Sequence, residues 1–397
     1  MKPKIRFKGF DDAYYENKFS QLFNTISDSG HNVSSNEYCK RGTYPVIDQS
    51  KDYIVGYTDV VAPIIPKGGI IVFGDHTREL KYVDFPFCTG ADGTQLLSPK
   101  SKDIPMYLYY YCKSLKIPNT GYNRHFKYIK ETIYNIPLST KEQQVIASFF
   151  DNLDSQISAS ASRLASLKQI KAASLQAMFP KEGETMPKVR FKGFKGEWKK
   201  VKFSEIFEFL KNNSLSRAKL SNEGEVANVH YGDVLIKFGD LLNVQSEELT
   251  YITDNRVGYN LYTNSCLQDG DVIITDAAED NTVGKCLEIM NVGNMKIVSG
   301  LHTIPCRPFK CFAQGYLGHY MNSESYHGQL LPLIQGSKIS SISKKVLSQT
   351  SVFVPSLEEQ QKIAVYFTSL DRQITLHSQR LEKLKQIKAA CLDKMFV

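Results

Sequence analysis

Side chains able to do chemistry are spread thinly along these 397 residues. Asp59 followed by Glu79-Leu80-Lys81 has the residue types with which a nuclease holds magnesium, although such triplets are common by chance and nothing in the second half repeats this one. His302, Cys306 and Cys311 could be strung together as ligands, yet three donors fall short of the four that tetrahedral zinc takes. The eight cysteines never form a Cys-x-x-Cys pair, which argues against a zinc ribbon or a disulfide framework. A Gly-rich phosphate loop ending in Lys-Ser/Thr is absent, as is a Gly-x-Gly-x-x-Gly run, so neither usual nucleotide pocket has a candidate. The chain also lacks the Asn/Asp-Pro-Pro-aromatic run of an amino-methyltransferase. The expectation is a chain with no catalytic group, metal or cofactor of its own.

Binding chemistry is better represented. Lys and Arg number 49 against 41 Asp and Glu, and the net charge of +8 suits a polyanion such as double-stranded DNA. Base edges are read by side chains with paired donors or acceptors carried on turns, while phosphates take Lys, Arg or backbone amides. In the first half the turn signals offer Gln49, Lys51, His76, Arg78, Asp92, Arg124 and His125. In the second they offer His230, Tyr231, Thr275, His302, Gln335, Ser337 and Lys338. Asp75 and Asp276 stand where strands end and serve equally well as turn caps; His302 could equally do no more than order its loop.

These turns are placed by an internal duplication. Pro3-Lys4-Ile5-Arg6-Phe7-Lys8-Gly9-Phe10 returns as Pro187-Lys188-Val189-Arg190-Phe191-Lys192-Gly193-Phe194, and Leu167 to Ala173 returns unchanged as Leu384 to Ala390. Between them, Gly68 to Asp75 parallels Gly270 to Asp276, Thr89-Gly90 parallels Ser299-Gly300, and Ile136-Pro137 parallels Val354-Pro355. The separation grows steadily along the chain, as one fold with longer loops in its second copy requires. Because a reading surface must differ between copies to read different sequences, the repeated Arg-Phe-Lys-Gly-Phe is expected to pack as framework.

The middles of both halves read as mixed α/β, with strands such as Ile70 to Phe73, Val272 to Thr275 and Val352 to Val354, and helices such as Met106 to Ser114 and Gly315 to Met321. Each half ends more distinctly. Ser139-Thr140-Lys141-Glu142 and Ser356-Leu357-Glu358-Glu359 fit the capping box, with Ser at the cap and Glu three residues on. Apolar residues then recur every three or four positions: Phe150, Leu153, Ile157, Leu164, Leu167 and Ile170 in one copy, Phe367, Leu370, Ile374, Leu381, Leu384 and Ile387 in the other. Uninterrupted, a helix from Glu142 to Met178 would run ~55 Å at 1.5 Å per residue. A single apolar seam of that length needs a partner, and its own copy is the natural one, antiparallel if a pseudo-two-fold axis relates the halves.

The Gln143-Gln144-x-Ile146-Ala147 run with Leu153-Asp154-x-x-Ile157, the Leu-Lys-x-x-Lys stretch ending at Met178-Phe179, and their copy from Glu359 to Met395-Phe396 resemble the conserved regions of type I restriction-modification specificity subunits. Gly300-Leu301-His302-Thr303-Ile304 and Gly336-Ser337-x-Ile339 are similar to features of that family's target recognition domains. The resemblance implies two target recognition domains, 1–138 and 187–355, two long helices at 139–180 and 356–397 packed as an antiparallel coiled coil, and a linker at 181–186. It further implies that each domain binds one half of a split, asymmetric DNA target, that the helices set the gap between the halves, and that two methyltransferase subunits dock on the helices, joined by restriction and translocase subunits. S-adenosylmethionine, ATP and Mg would then belong to those partners. A different reading of the same architecture is a protein-binding adaptor with a coiled-coil spacer. No apolar run follows the basic start and none approaches the ~18 residues of a membrane span, so the expected compartment is the cytoplasm.

Overall fold

The computed structural model describes residues 2–90, 93–100, 105–336 and 340–397. Its two compact units do not follow chain order, because each long helix is divided between them: one unit comprises residues 1–162 and 378–397, the other 163–377.

Unit 1 holds an antiparallel sheet in the order Phe23–Ile26, Thr94–Pro99, Ile70–Gly74, Leu80–Val83. Along its central strand Ile71 and Phe73 face a cluster with Tyr107, Tyr110, Tyr111 and Phe150, while Ile70 and Val72 face Ile47, Val83, Phe87 and Leu96. The strand is therefore buried on both faces, and its unbroken β-branched and aromatic run follows from that. A second sheet runs Asn32–Val33, Cys88–Gly90, Tyr44–Ile47, Gly56–Thr58 and contains parallel pairs. Strand Tyr14–Lys18 pairs with Ile133–Pro137 just before the first long helix, Thr140–Ala177.

Unit 2 repeats this plan. Phe207–Phe209, Thr303–Pro308, Val272–Thr275 and Cys286–Met290 take the same order and directions, and Leu241–Asn243 adds a fifth, parallel strand. Lys199–Lys202 pairs with Ser351–Val354 before the second long helix, Leu357–Met395. The structure corrects the alignment of the central strands by one residue. Val272 and Ile274 face the helix-side core as Ile71 and Phe73 do, so Gly69, not Gly68, matches Gly270. Because side chains alternate across a strand, a slip of one would exchange the two faces.

Within each unit the start of one long helix meets the end of the other, antiparallel. In unit 1 Phe150 stacks on Phe396, centroids 5.6 Å apart, and Lys388 bonds Asp154. In unit 2 Phe367 stacks on Phe179 at 5.8 Å, and Lys171 bonds Asp371 at 2.5 Å. These are the same contacts drawn from opposite copies. Phe150, Leu153 and Leu384 join the unit 1 core, and Leu167, Phe367, Leu370 and Ile374 that of unit 2; Ile157, Leu164 and Leu381 are half-buried. Ile170 and Ile387, expected in the seam, are instead 43 % and 38 % exposed. From Leu167 and Leu384 the seam steps by four, to Lys171 and Lys388, whose ammonium groups turn inward to carboxylates. A stride of three would have kept the isoleucines inside; the extra residue brings the lysines round.

The capping boxes form by half. Ser139 and Ser356 hydroxyls accept the Glu142 and Glu359 amides at 3.3 Å, but the glutamate side chains do not reach back. Buried, they take the Arg6 and Arg190 guanidiniums in two-pronged ion pairs of 2.6 to 2.8 Å. Phe7 lies edge-on to Phe149 and Phe191 to Tyr366, so the repeated Arg-Phe motif fastens the irregular segment that enters each unit to its helix. That is the framework packing expected of an unchanged segment.

Candidate nucleic-acid interface

In unit 1 the turns after Ile47, after Gly74 and before Phe126 come together at one end of the central sheet. Thr77 Oγ1 donates to the Gln49 carbonyl at 2.5 Å, and His76 N donates to Gln49 Oε1 at 3.3 Å. The His76 imidazole stacks flat on Tyr122, 4.3 Å between centroids and 6° from parallel. Tyr122 is 85 % exposed and no periodic pattern marks it; the Gly-Tyr-Asn turn around it is its only signal in the sequence. Arg78 adopts a left-handed backbone at φ 66°, and its Nη1 reaches the Ile117 carbonyl at 3.5 Å. Lys51 and Arg124 are exposed beside these turns.

His125 is not available to a ligand. It is fully buried, with Nδ1 against the Asp75 carbonyl at 2.9 Å and Nε2 against Thr120. Asp75, buried too, accepts the Phe126 amide at 2.8 Å and so caps the following helix. Lys81 turns inward to the Asp48 and Asp52 carbonyls and is separated from Asp59, which is spent on the Thr43 amide. The nuclease reading thus loses its geometry.

In unit 2 the matching end gathers His230, Tyr231, Asp276 and His302. His302 Nδ1 lies 3.1 Å from Asp276 Oδ1, and the Tyr231 ring meets His302 edge-on at 5.2 Å. Arg217, which the sequence reading passed over, clasps Asp233 with two bonds of 2.9 Å beside His230. Burial and then the Arg217 charge push the His230 pKa down, and its Nδ1 accepts the Gly232 amide at 3.2 Å. Thr275 is fully buried, its hydroxyl turned to the Lys285 carbonyl, because it is the last residue of a strand covered on both faces. It is removed from the candidates. Gln335 is exposed and exchanges backbone hydrogen bonds with Ser341, which pairs with Ala277 next to Asp276. Asp92, Ser337 and Lys338 lie outside the described residues.

Among the described residues one cluster has metal-ligand composition: Asp240, His319 and Asp371, whose ligand atoms lie within 4.8 Å of one another. Lys171 already fills it, 2.6 Å from Asp240 and 2.5 Å from Asp371, so an ammonium supplies the positive charge. Burial would raise the Asp240 pKa, but His319 and Lys171 outweigh it and hold the carboxyl below its usual range. His302, Cys306 and Cys311 are not brought together among the described residues.

Comparison with known proteins agrees with this arrangement. The family described as the type I restriction modification DNA specificity domain matches residues 16–169 and again 195–386. A curated relative from Methanocaldococcus jannaschii, named for the specificity subunit of the MjaX type I restriction enzyme, is 25 % identical over 334 residues, 75 % of this chain and 69 % of that one. The crystal structure of a type I restriction-modification S subunit from M. genitalium aligns over 100 % of this chain and 99 % of its own, with TM-score 0.65 and 15 % identity. A chain from a structure addressing complex assembly of a type I system aligns over 97 % and 98 %, with TM-score 0.50 and 15 % identity. At such identities the two structures speak for the fold. The doubled family match, covering most of both halves, decides the assignment: this chain belongs to the type I restriction modification DNA specificity family and is a DNA sequence-recognition subunit.

Proposed function

We propose that each unit reads one half of a split, asymmetric DNA target, and that the chain directs adenine methylation or restriction carried out by partner subunits. The observation that carries this reading is one framework bearing unlike side chains at matching turns. Where unit 1 presents Gln49, His76 and Tyr122, unit 2 presents His302, Asp276 and Tyr231. Heads of the same plan with different donors and acceptors suit unlike half-sites. Two modification subunits are proposed to dock on the long helices, with restriction and translocase subunits joining the larger assembly. S-adenosylmethionine, ATP and Mg act on those partners, and this chain contributes specificity without chemistry of its own. A cytoplasmic setting follows from the DNA target; no described helix is long and apolar enough to cross a membrane.

Mapping methylated adenines in cells that carry this chain with its partners tests the reading, using a variant in which residues 11–137 come from a relative. One half of the methylated motif should change and the other should persist. Change in both halves, or in neither, would remove the one-head, one-half assignment. Salt separates DNA recognition from the adaptor reading: log affinity should fall against log salt with a slope near 0.9 per phosphate neutralised. Tight binding without such a slope would favour the adaptor.

A further inference from the structure

Among the described residues three that are not glycine have a left-handed backbone: Arg78, Asn291 and His302. Any residue but glycine pays for that region, at a cost of roughly 1 kcal/mol or more, asparagine and histidine less than arginine. Arg78 and His302 are both in the turns gathered at the candidate interface, one in each unit.

The internal repeat supplies a control for His302. Its carbonyl accepts the Asp276 amide at 3.2 Å, and the residue after it, Thr303, pairs with Thr275. In unit 1 the carbonyl accepting the Asp75 amide, at 2.7 Å, belongs to Gly93, and the next residue, Thr94, pairs with Gly74. Gly93 and His302 therefore hold one position, with φ of 89° and 54°. The turn itself needs no side chain there, and glycine would meet it without strain. In unit 1 the adjoining space is taken by His76, whose Cδ2 lies 2.8 Å from where a Gly93 Cβ would stand. Each unit thus puts one imidazole at this place, from a different turn.

The turn under His302 is held firmly. Ser299 and Thr303 hydroxyls bond at 2.7 Å, Thr303 Oγ1 donates to the Gly300 carbonyl at 2.5 Å, and Asn213 Nδ2 donates to the Ser299 carbonyl at 2.8 Å. None of these bonds uses the imidazole. The ring rims an open hollow of about 420 Å³ with Asn212 and Asp276, and its side chain is 48 % exposed. In the neutral ring Nδ1–H donates to the Asp276 carboxylate, which leaves the Nε2 lone pair as a hydrogen-bond acceptor.

Resting on the DNA-recognition reading above, we propose that His302 is a base-reading residue of the second half-site, whose Nε2 accepts from the exocyclic amino group of an adenine or a cytosine in the major groove. Asp276 sets the tautomer and Tyr231 the tilt of the ring. Adenine and cytosine are the two bases that present an amino donor there.

The test is selection from a randomised duplex pool by the chain assembled with its modification subunits. Wild type should return a bipartite motif with an A or C required at one position of the second half. His302→Gly, which relieves the backbone, should fold at least as stably and lose about tenfold discrimination at that single position, with the first half unchanged. Tyr231→Ala should weaken the same position less. An unchanged motif in His302→Gly, a guanine or thymine at the affected position, or a uniform loss over all sequences would overturn the proposal. A wild-type complex that returns no motif would instead overturn the DNA-recognition reading, so the two failures are distinct.

Discussion

Glu288 shows at the scale of one residue how burial tunes a carboxyl group. It is 1 % exposed and receives the Gly315 and Gly318 amides at 2.7 and 2.8 Å. Burial raises its pKa to about 7, the two amides only partly offsetting this. A raised carboxyl pKa means the folded state binds the extra proton between about pH 4.5 and 7 while the unfolded chain has released it. Stability from this group is therefore greatest at the acid end of that window and is lost as pH rises through it, by at most about 3 kcal/mol. Urea unfolding at pH 5 and pH 8 should show this loss in wild type and a flatter dependence in Glu288→Gln; parallel curves would refute the assignment. In the sequence Glu288 looks like any polar residue in a strand. His125 and Thr275 misled for the related reason that position beside a turn does not reveal whether a side chain points out or is claimed by a neighbouring backbone group.

At the scale of elements the long helices were the most legible part of the chain, since spacing, serine caps and duplication all agree on them. Their last two turns were not, because a lysine and an isoleucine at consecutive positions compete for the seam and the winner depends on carboxylates distant in sequence. In unit 2 Lys171 meets Asp371 from the other helix and Asp240 from the loop before strand Leu241–Asn243; in unit 1 Lys388 meets Asp154, which also accepts the Tyr110 hydroxyl. Removing Lys171 leaves two carboxylates close together, with His319 and Asn322 still on Asp240, whereas Asp154 without Lys388 has no second carboxylate beside it in the pair and keeps the Tyr110 hydroxyl. Lys171→Met should thus cost about 2 to 4 kcal/mol and Lys388→Met about 1, read by chemical denaturation. Equal losses would show that the loop carboxylate adds nothing.

For the whole molecule, the duplication was visible at once, and the shared topology of the two units follows from it. What the repeats concealed was the exchange of helix ends. Met395 and Phe396 complete the core that begins at Phe23, and Met178 and Phe179 complete the core built around Phe203 and Tyr316. A chain of residues 1–180 has Phe179 but lacks Phe396, so two such chains should trade their Phe179 ends and form a dimer, visible by analytical ultracentrifugation. Phe179→Ala should weaken that dimer by about 3 to 5 kcal/mol, the cost of emptying an aromatic site. A well-folded monomer of 1–180 would show that the exchange is dispensable.

The tie between Tyr111 and Val397 spans 286 residues of chain. During synthesis the amino-terminal head therefore leaves the ribosome with an unfilled aromatic socket, and at 5 to 20 residues per second it waits roughly 10 to 50 s for the segment that plugs it. Until then the ring faces of Phe150, Tyr107 and Tyr111 that Phe396 covers are open to solvent, a stretch in which a chaperone, or another nascent copy offering its own Phe179, can occupy the vacancy first.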